Sequence, residues 1–332
     1  MTVEAPPAVD AVRQALPVWD IAPEAEVKLL THSENAVYLV APAAGPRVVL
    51  RIHRPNYHSK NAIAGELAWL QALHEERTVE APVAVAGSDG AHIQTVELKD
   101  IGRRHAVAFE FMDGEPPAEN DEQNPAALNP AAFQRLGEVT ARLHRHALGW
   151  RRPRGFQRLR WDDESIFGAR PHWGDWRRAP GMDAAAEKLL GRQQAVIRRR
   201  LRSFGAGRGR FGLIHADLRP ANLLLHGDAT RVIDFDDCGF GWLLYDLAAA
   251  FSFFEGGAQV PALTDCWLRG YRRIRPLSKE EENEIPTFLM LRRMALLAWI
   301  GSHPETALAA RHAPFFTRDS CEMAEGYLAE AV

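Results

Sequence analysis

Short runs of apolar residues broken by turn-formers dominate the first third of the chain. Glu26–His32, Ala36–Ala41, Arg47–His53, His92–Leu98 and His105–Met112 are rich in Val, Ile, Leu, Phe and Tyr, punctuated by Pro42, Gly45, Pro46, Gly87 and Gly90. Such runs predict strands. Between the third and fourth, Ile63, Leu67, Leu70 and either Leu73 or His74 recur at spacings of three and four. That period predicts a helix from Lys60 to Glu75. After Met112 the composition turns to Pro, Asn and acids over 113–130, which marks a lobe boundary. Helical periodicity follows. Asn129 caps a helix with Pro130 in its first turn, burying Phe133, Leu136, Thr140 and Leu143 and ending at Gly149. A second helix runs from Asp183 to Ser203, and Ser278 with Glu281 forms a capping box that opens a third. Pro286, within about two turns of that start, is placed to kink it. Between them lies a β-rich insert, 211–236, with a strand over Arg231–Phe235. The expected fold class is α+β and bilobal. A small N-terminal antiparallel β-sheet lobe with one helix covers 1–112, and a larger, mainly α-helical lobe covers 113–332, with a hinge near 109–117.

Composition narrows the classes of function. With 40 basic and 43 acidic residues among 332, the net charge is −3, so nothing global favours nucleic acid or an anionic membrane as partner. Apolar residues make up 46% and charged residues 25%, which excludes a disordered chain. Cys238, Cys266 and Cys321 are too few and too scattered for a disulfide framework or a zinc motif. No basic start followed by an apolar run opens the chain, and no apolar stretch reaches ~20 residues. The expected location is cytoplasmic. The run Arg198-Arg199-Arg200, with Arg202, closes a predicted helix, where cations favour the dipole, and is read as a solvated helix end.

The insert carries the chemistry. It holds His215-x-Asp217-x4-Asn222, and its second strand delivers Asp234. Composition alone gives about 0.02 chance matches to that spacing, so it is read as a constellation. Two strands flanking a polar loop can aim Asp217, Asn222 and Asp234 into one small volume. One carboxylate there can accept the proton of an attacking hydroxyl. An amide oxygen and a second carboxylate can hold Mg²⁺, a hard cation that prefers oxygen ligands.

HADLRPANLL, followed by VIDFDDCGFGWLLYDLA, resembles the aminoglycoside phosphotransferase and homoserine kinase-like family, small-molecule relatives of the protein kinases. The resemblance spans most of the chain and implies a kinase-like fold and the cofactors ATP and Mg²⁺. Carried over residue by residue, it implies Asp217 as the catalytic Asp, and Asn222 and Asp234 as the metal ligands. Asp246 would brace the catalytic loop and His215 would order it. Asp236 stands where protein kinases have Gly, and DFDD resembles the bacterial stress-response kinase branch.

The same resemblance places Arg51 where the third strand usually carries Lys, with Glu66 as its helix partner. Strand alternation puts Val49 on the face of Arg51, over the adenine. The turn Ser33–Asn35 would offer N–H groups and a hydroxyl to phosphate. Backbone around Glu110 and Met112 would meet adenine. Trp161, Trp173, Asp175 and Trp176 are candidates for an acceptor pocket, against aromatic packing between helices. The expected activity is phosphorylation of a hydroxyl on a small molecule of aminoglycoside, homoserine or choline type. A bacterial stress-type protein Ser/Thr kinase and a nucleotide-binding regulatory protein without turnover stay open as alternatives.

Overall fold

The computed structural model describes residues 5–32, 35–99, 101–116, 129–227 and 229–330. Two compact units emerge: Thr2–Gly114 with Arg151–Arg158, and Glu115–Trp150 with Leu159–Val332.

The first unit begins with α1 (Val9–Ala15) and continues through β1 (Glu26–His32), β2 (Ala36–Ala41), β3 (Val48–Ile52), α2 (Lys60–Glu75), β4 (Ala84–Val85), β5 (Gln94–Leu98) and β6 (Gly102–Glu110). The strands form one sheet, ordered β1-β2-β3-β6-β4, with β5 also on β6, and every pair is antiparallel. Val48, Leu50 and Ile52 of β3 point into the core with Tyr38 and Val40, covered by Val12, Leu16 and Trp19. Period-2 geometry sends Val49 and Arg51 to the other face.

On α2 the buried stripe is Ile63, Glu66, Leu70 and Leu73, joined by Trp69, while Leu67 is half-buried and His74 exposed. A glutamate thus sits on the apolar face, which a buried partner explains below. The return of Arg151–Arg158 to this unit had no signal in the sequence. Arg158 donates to the carbonyl of Ala62 at 2.8 Å. A Cβ on Gly65 would overlap the carbonyl oxygen of Gln157, so only glycine lets the segment lie on α2.

The second unit comprises α3 (Pro130–Gly149), β7 (Leu159–Trp161), α4 (Asp163–Phe167), α5 (Ala184–Phe204), β8 (Phe211–Ile214), β9 (Leu223–His226), β10 (Ala229–Val232), β11 (Gly239–Trp242), α6 (Leu244–Ala249), α7 (Val260–Arg272), α8 (Lys279–Asn283), α9 (Ile285–Ser302), α10 (Ala307–His312) and α11 (Phe316–Glu330). Asn129 caps α3 and Asp183 caps α5 through their side chains. The capping box at Ser278 and Glu281 forms, but α8 spans only 5 residues. Pro286 does not kink it. Instead it lies in the first turn of α9, where its missing N–H costs nothing. The strand expected over Arg231–Phe235 ends at Val232, because Asp234 takes φ 64°, a left-handed conformation that no strand continues through. A Cβ on Gly270 of α7 would overlap the Gln134 carbonyl of α3, so these helices cross at contact distance.

Every residue of α9 from Met290 to Ile300 is buried, as expected of a helix apolar on all sides. Arg292 and Arg293 interrupt that run, and a buried charge must find partners. Arg293 donates to Glu255 at 2.9 Å, Ser320 at 2.7 Å and the Phe316 carbonyl at 3.1 Å. Arg200 in the last turns of α5 meets Glu284 at 2.9 Å, and Arg210, just before β8, meets Glu280 at 2.8 Å. No helix among the described residues is long and apolar enough to cross a membrane.

His312, at the end of α10, stacks on Phe253 with ring centroids 4.7 Å apart. Burial first, then the charges of Arg293 and Arg311, push its pKa down from 6.5 to about 4. Between those values the unfolded chain holds a proton that the folded chain refuses. Stability is therefore full above pH 6.5 and falls as pH drops towards 4. His312→Phe is expected to remove about 2 kcal/mol of the stability lost between pH 7 and pH 4.5, read from urea midpoints. An identical acid loss in the variant would assign that loss to other groups.

Candidate active site

The chain leaves β8 at Ile214 and passes through His215–Arg219 to a tight turn, Pro220–Asn222, that feeds β9. Asp246, from the first turn of α6, holds this loop from beneath. Its carboxylate accepts the N–H of His215 at 3.0 Å and of Ala216 at 2.6 Å. Ala216 has φ 71°, a conformation that costs a non-glycine residue about 1–3 kcal/mol. These two bonds hold that strained backbone in place.

Asp246 is itself oriented by a buried chain of hydrogen bonds. Arg275 donates to the Tyr271 hydroxyl at 2.9 Å, which meets His144 Nδ1 at 2.9 Å, and His144 Nε2 meets Asp246 at 3.0 Å. Burial lowers the His144 pKa, against the raising effect of Asp246, so the ring is neutral. A neutral ring satisfies both contacts as the Nε2–H tautomer, with the tyrosine hydroxyl donating to Nδ1. His215 is fixed in the same way. Its Nδ1 accepts the Asp217 N–H at 3.3 Å, which leaves Nε2–H to donate to the Ile233 carbonyl at 3.1 Å.

Asp217 projects from the loop with its side chain 16% exposed. Its Oδ1 accepts from Arg292 Nη2 at 2.5 Å. Its Oδ2 accepts from Asn222 Nδ2 at 2.9 Å and from Arg219 Nε at 3.2 Å. Burial pushes this carboxyl up, but the guanidinium groups of Arg219 and Arg292 outweigh it and hold the group below the usual carboxylate range. The result is an ionised, weakly basic carboxylate in a fixed rotamer.

Asn222 also donates to the Asp217 carbonyl at 2.8 Å. With Nδ2 committed there, the amide turns Oδ1 the other way. The Asn222 carbonyl accepts the Ile233 N–H at 2.9 Å, which puts Asp234 next in line beyond the β9–β10 pair. Asp234 is exposed and Asp236 buried. Among the described residues no three His, Cys, Asp or Glu side chains group as a metal site. The oxygen donors of Asn222 and Asp234 nonetheless fit Mg²⁺, which keeps several waters and takes the rest of its shell from phosphates.

In the first unit, Arg51 Nη2 donates to Glu66 Oε2 at 2.7 Å, and both side chains are buried, 6% and 1% exposed. The Arg51 guanidinium stands 5.1 Å from the Phe109 ring centroid. Val49 pairs with Phe109 across the β3–β6 ladder. Asn35 Oδ1 accepts the Arg54 N–H at 3.1 Å and so ties the end of the β1–β2 turn to the chain after β3. Ser33 lies outside the described residues. At the end of β6, the N–H of Glu110 goes to the Val83 carbonyl at 2.9 Å and that of Phe111 to the Arg47 carbonyl at 3.2 Å, while Met112 is half-buried.

The aromatic candidates separate. Trp161 and Trp176 are core residues, each 1% exposed. Trp161 Nε1 donates to the Asp237 carbonyl at 2.7 Å, and Trp176 Nε1 donates to Gln194 at 2.9 Å. Their rings are spent on packing. Asp175 caps the short turn at Trp176–Arg178 and pairs with Arg177 at 3.2 Å. Trp173 packs edge-on against Trp161 and lies 5.2 Å from the Arg292 guanidinium.

Sequence reasoning missed Arg292, Arg219, Tyr271 and Ser252. A signal existed for the first. Two adjacent arginines within FLMLRRMALLAWI are charges in an otherwise apolar helix, and such charges are paired or functional.

The profile of the phosphotransferase enzyme family matches residues 26–277. The chain belongs to this family. Among its relatives, the homoserine kinase of Gluconobacter oxydans is 27% identical over 298 residues, covering 85% of this chain and 84% of that one. The amicoumacin kinase of Bacillus subtilis is 24% identical over 282 residues, covering 82% and 78%. Among solved structures, a microcompartment-associated aminopropanol kinase superposes with a TM-score of 0.88 at 41% identity, covering 98% of both chains. These relatives are small-molecule kinases. They place this phosphotransferase with them, and neither with protein kinases nor with proteins that bind nucleotide without turnover.

Proposed function

We propose that the protein transfers the γ-phosphate of ATP to a hydroxyl of a small amino alcohol. The observation that carries this is Asp217, an ionised carboxylate locked at the tip of a braced loop beside Asn222. The acceptor class is supported by the aminopropanol kinase, alike over the full length of both chains. Homoserine, the substrate named for other relatives, is also an amine-bearing alcohol.

In this reading the acceptor hydroxyl donates its hydrogen bond to Asp217 and attacks the γ-phosphorus. The new O–P bond forms as the bond from that phosphorus to the β,γ-bridging oxygen breaks, and ADP leaves. The hydroxyl proton passes to Asp217 late, once the attacking oxygen has lost electron density to phosphorus. A weakly basic carboxylate suffices because the transition state is loose and needs orientation more than deprotonation. Asn222 Oδ1 and Asp234 would hold Mg²⁺, which would supply neutralisation of phosphate charge. Arg51, kept in place by Glu66, binds phosphate as a planar fork. Val49 lies against adenine, and the backbone near Glu110 and Met112 meets its edge. Ser33 and Asn35 serve the phosphate-side turn. His215 and Asp246 hold the loop, and Asp236 supports the segment after Asp234. Trp173 is the aromatic candidate nearest Asp217 through Arg292. Cytoplasmic location belongs to the same proposal.

ADP release coupled to a panel of acceptors tests the reading: 1-amino-2-propanol, ethanolamine, homoserine, choline, an aminoglycoside and a generic protein substrate. Turnover is expected with an amino alcohol and none with protein. ATP binding without turnover on any acceptor, or labelling of protein alone, would overturn it.

A further inference from the structure

Arg292 lies inside α9, 75 residues along the chain from Asp217, yet it reaches that carboxylate. Its side chain is 2% exposed. Four partners fix the fork: Nε donates to Ser252 Oγ at 2.9 Å, Nη1 to the Ala216 carbonyl at 3.1 Å and the Tyr245 hydroxyl at 3.4 Å, and Nη2 to Asp217 Oδ1 at 2.5 Å. Its planar face also lies near Trp173, at 5.2 Å, and Tyr245, at 5.6 Å. One guanidinium thus grips both the strained backbone at Ala216 and the carboxylate of the next residue. Lysine has no fork that could make these contacts together.

The two oxygens of Asp217 are used unequally. Oδ2 takes two donors, Arg219 and Asn222, while Oδ1 takes Arg292. A carboxylate oxygen accepts about two hydrogen bonds. Among the described residues, Oδ1 therefore keeps one acceptor direction, and Arg292 occupies its core side. We propose that Arg292 is a positioning residue for phosphoryl transfer: from the core it sets the rotamer of Asp217 and reserves the outer side of Oδ1 for the acceptor hydroxyl. The proposal rests on Asp217 as the carboxylate that meets the acceptor.

The test uses the full chain with 1-amino-2-propanol as acceptor, four single variants, Arg292→Lys, Arg292→Met, Ser252→Ala and Asp217→Asn, and the double variant Asp217→Asn/Arg292→Lys. Arg292→Lys keeps the charge and loses the fork. It is expected to lower kcat about 10²-fold, the scale of a misplaced reacting group, with KM for ATP within about twofold of wild type. Arg292→Met falls further. Ser252→Ala, which frees one arm of the fork, loses about 3–10-fold. The Asp217→Asn/Arg292→Lys double variant is expected to be no slower than Asp217→Asn alone, because Arg292 acts through that carboxylate. Should Arg292→Met fail to fold, Arg292→Lys and Ser252→Ala still decide. Wild-type kcat in Arg292→Lys, a loss confined to KM for ATP, or losses that multiply in the double variant would each overturn the proposal. An active Asp217→Asn overturns the reading of Asp217 and this proposal together. An inactive Asp217→Asn beside an unimpaired Arg292→Lys overturns only the role of Arg292.

Discussion

Asp217→Asn is expected to lower turnover by about 10²–10⁴-fold, the scale of a positioned general base, with Mg·ATP affinity within about twofold of wild type. The amide keeps the shape of the carboxylate and one oxygen for Arg292, so the loop should stay in place. It cannot take the acceptor proton, and it no longer balances the charges of Arg219 and Arg292, both of which now touch this carboxylate. A modest loss of thermal stability should accompany the loss of rate, because Arg292 is left buried with less compensation. Steady-state kinetics, calorimetric titration with nucleotide and a melting curve separate the three effects. A variant with near-normal turnover would show that the acceptor hydroxyl needs no carboxylate at this position, and the reading of the loop would fail.

Asp234→Asn is expected to act through the metal. Replacing a charged oxygen ligand of a hard cation with a neutral one should collapse turnover at ordinary Mg²⁺ and raise the Mg²⁺ concentration needed for half-maximal rate by about tenfold or more. Metal-dependent enhancement of nucleotide binding, read by calorimetry without any acceptor, should weaken in parallel. Asp217→Asn should leave that metal dependence unchanged. Identical Mg²⁺ curves for wild type and Asp234→Asn would remove Asp234 from the metal site, whatever the effect on rate. Its exposed side chain and left-handed backbone already mark it as a residue held for something other than packing.

Much of the architecture was legible in the sequence because local chemistry dictates it. Caps at Asn129 and Ser278, the alternation that puts Val49 and Arg51 on one face of β3, and the spacing of apolar residues on α3 all act within a few residues of themselves. The spacing from His215 to Asn222 is also local, since a short loop between paired strands can present few side chains in few ways. Glu66 could be matched to Arg51 because the family resemblance pairs a third-strand cation with a helix glutamate, and the two side chains meet at 2.7 Å.

What only the tertiary structure decided depends on residues far apart in sequence. Pro286 reads as a kink until the end of α8 frees it to start α9. Trp161 and Trp176 read as either pocket walls or packing until their indole N–H groups find the Asp237 carbonyl and Gln194. Arg292 reads as an anomaly in an apolar helix until folding brings it to Asp217, 75 residues away in the chain. A buried charge has no sequence-local solution: its desolvation must be met by whichever partners the packing of other elements supplies. The sequence by itself determined which carboxylate stands at the tip of the loop. The packing of α9 against that loop determined which way the carboxylate points.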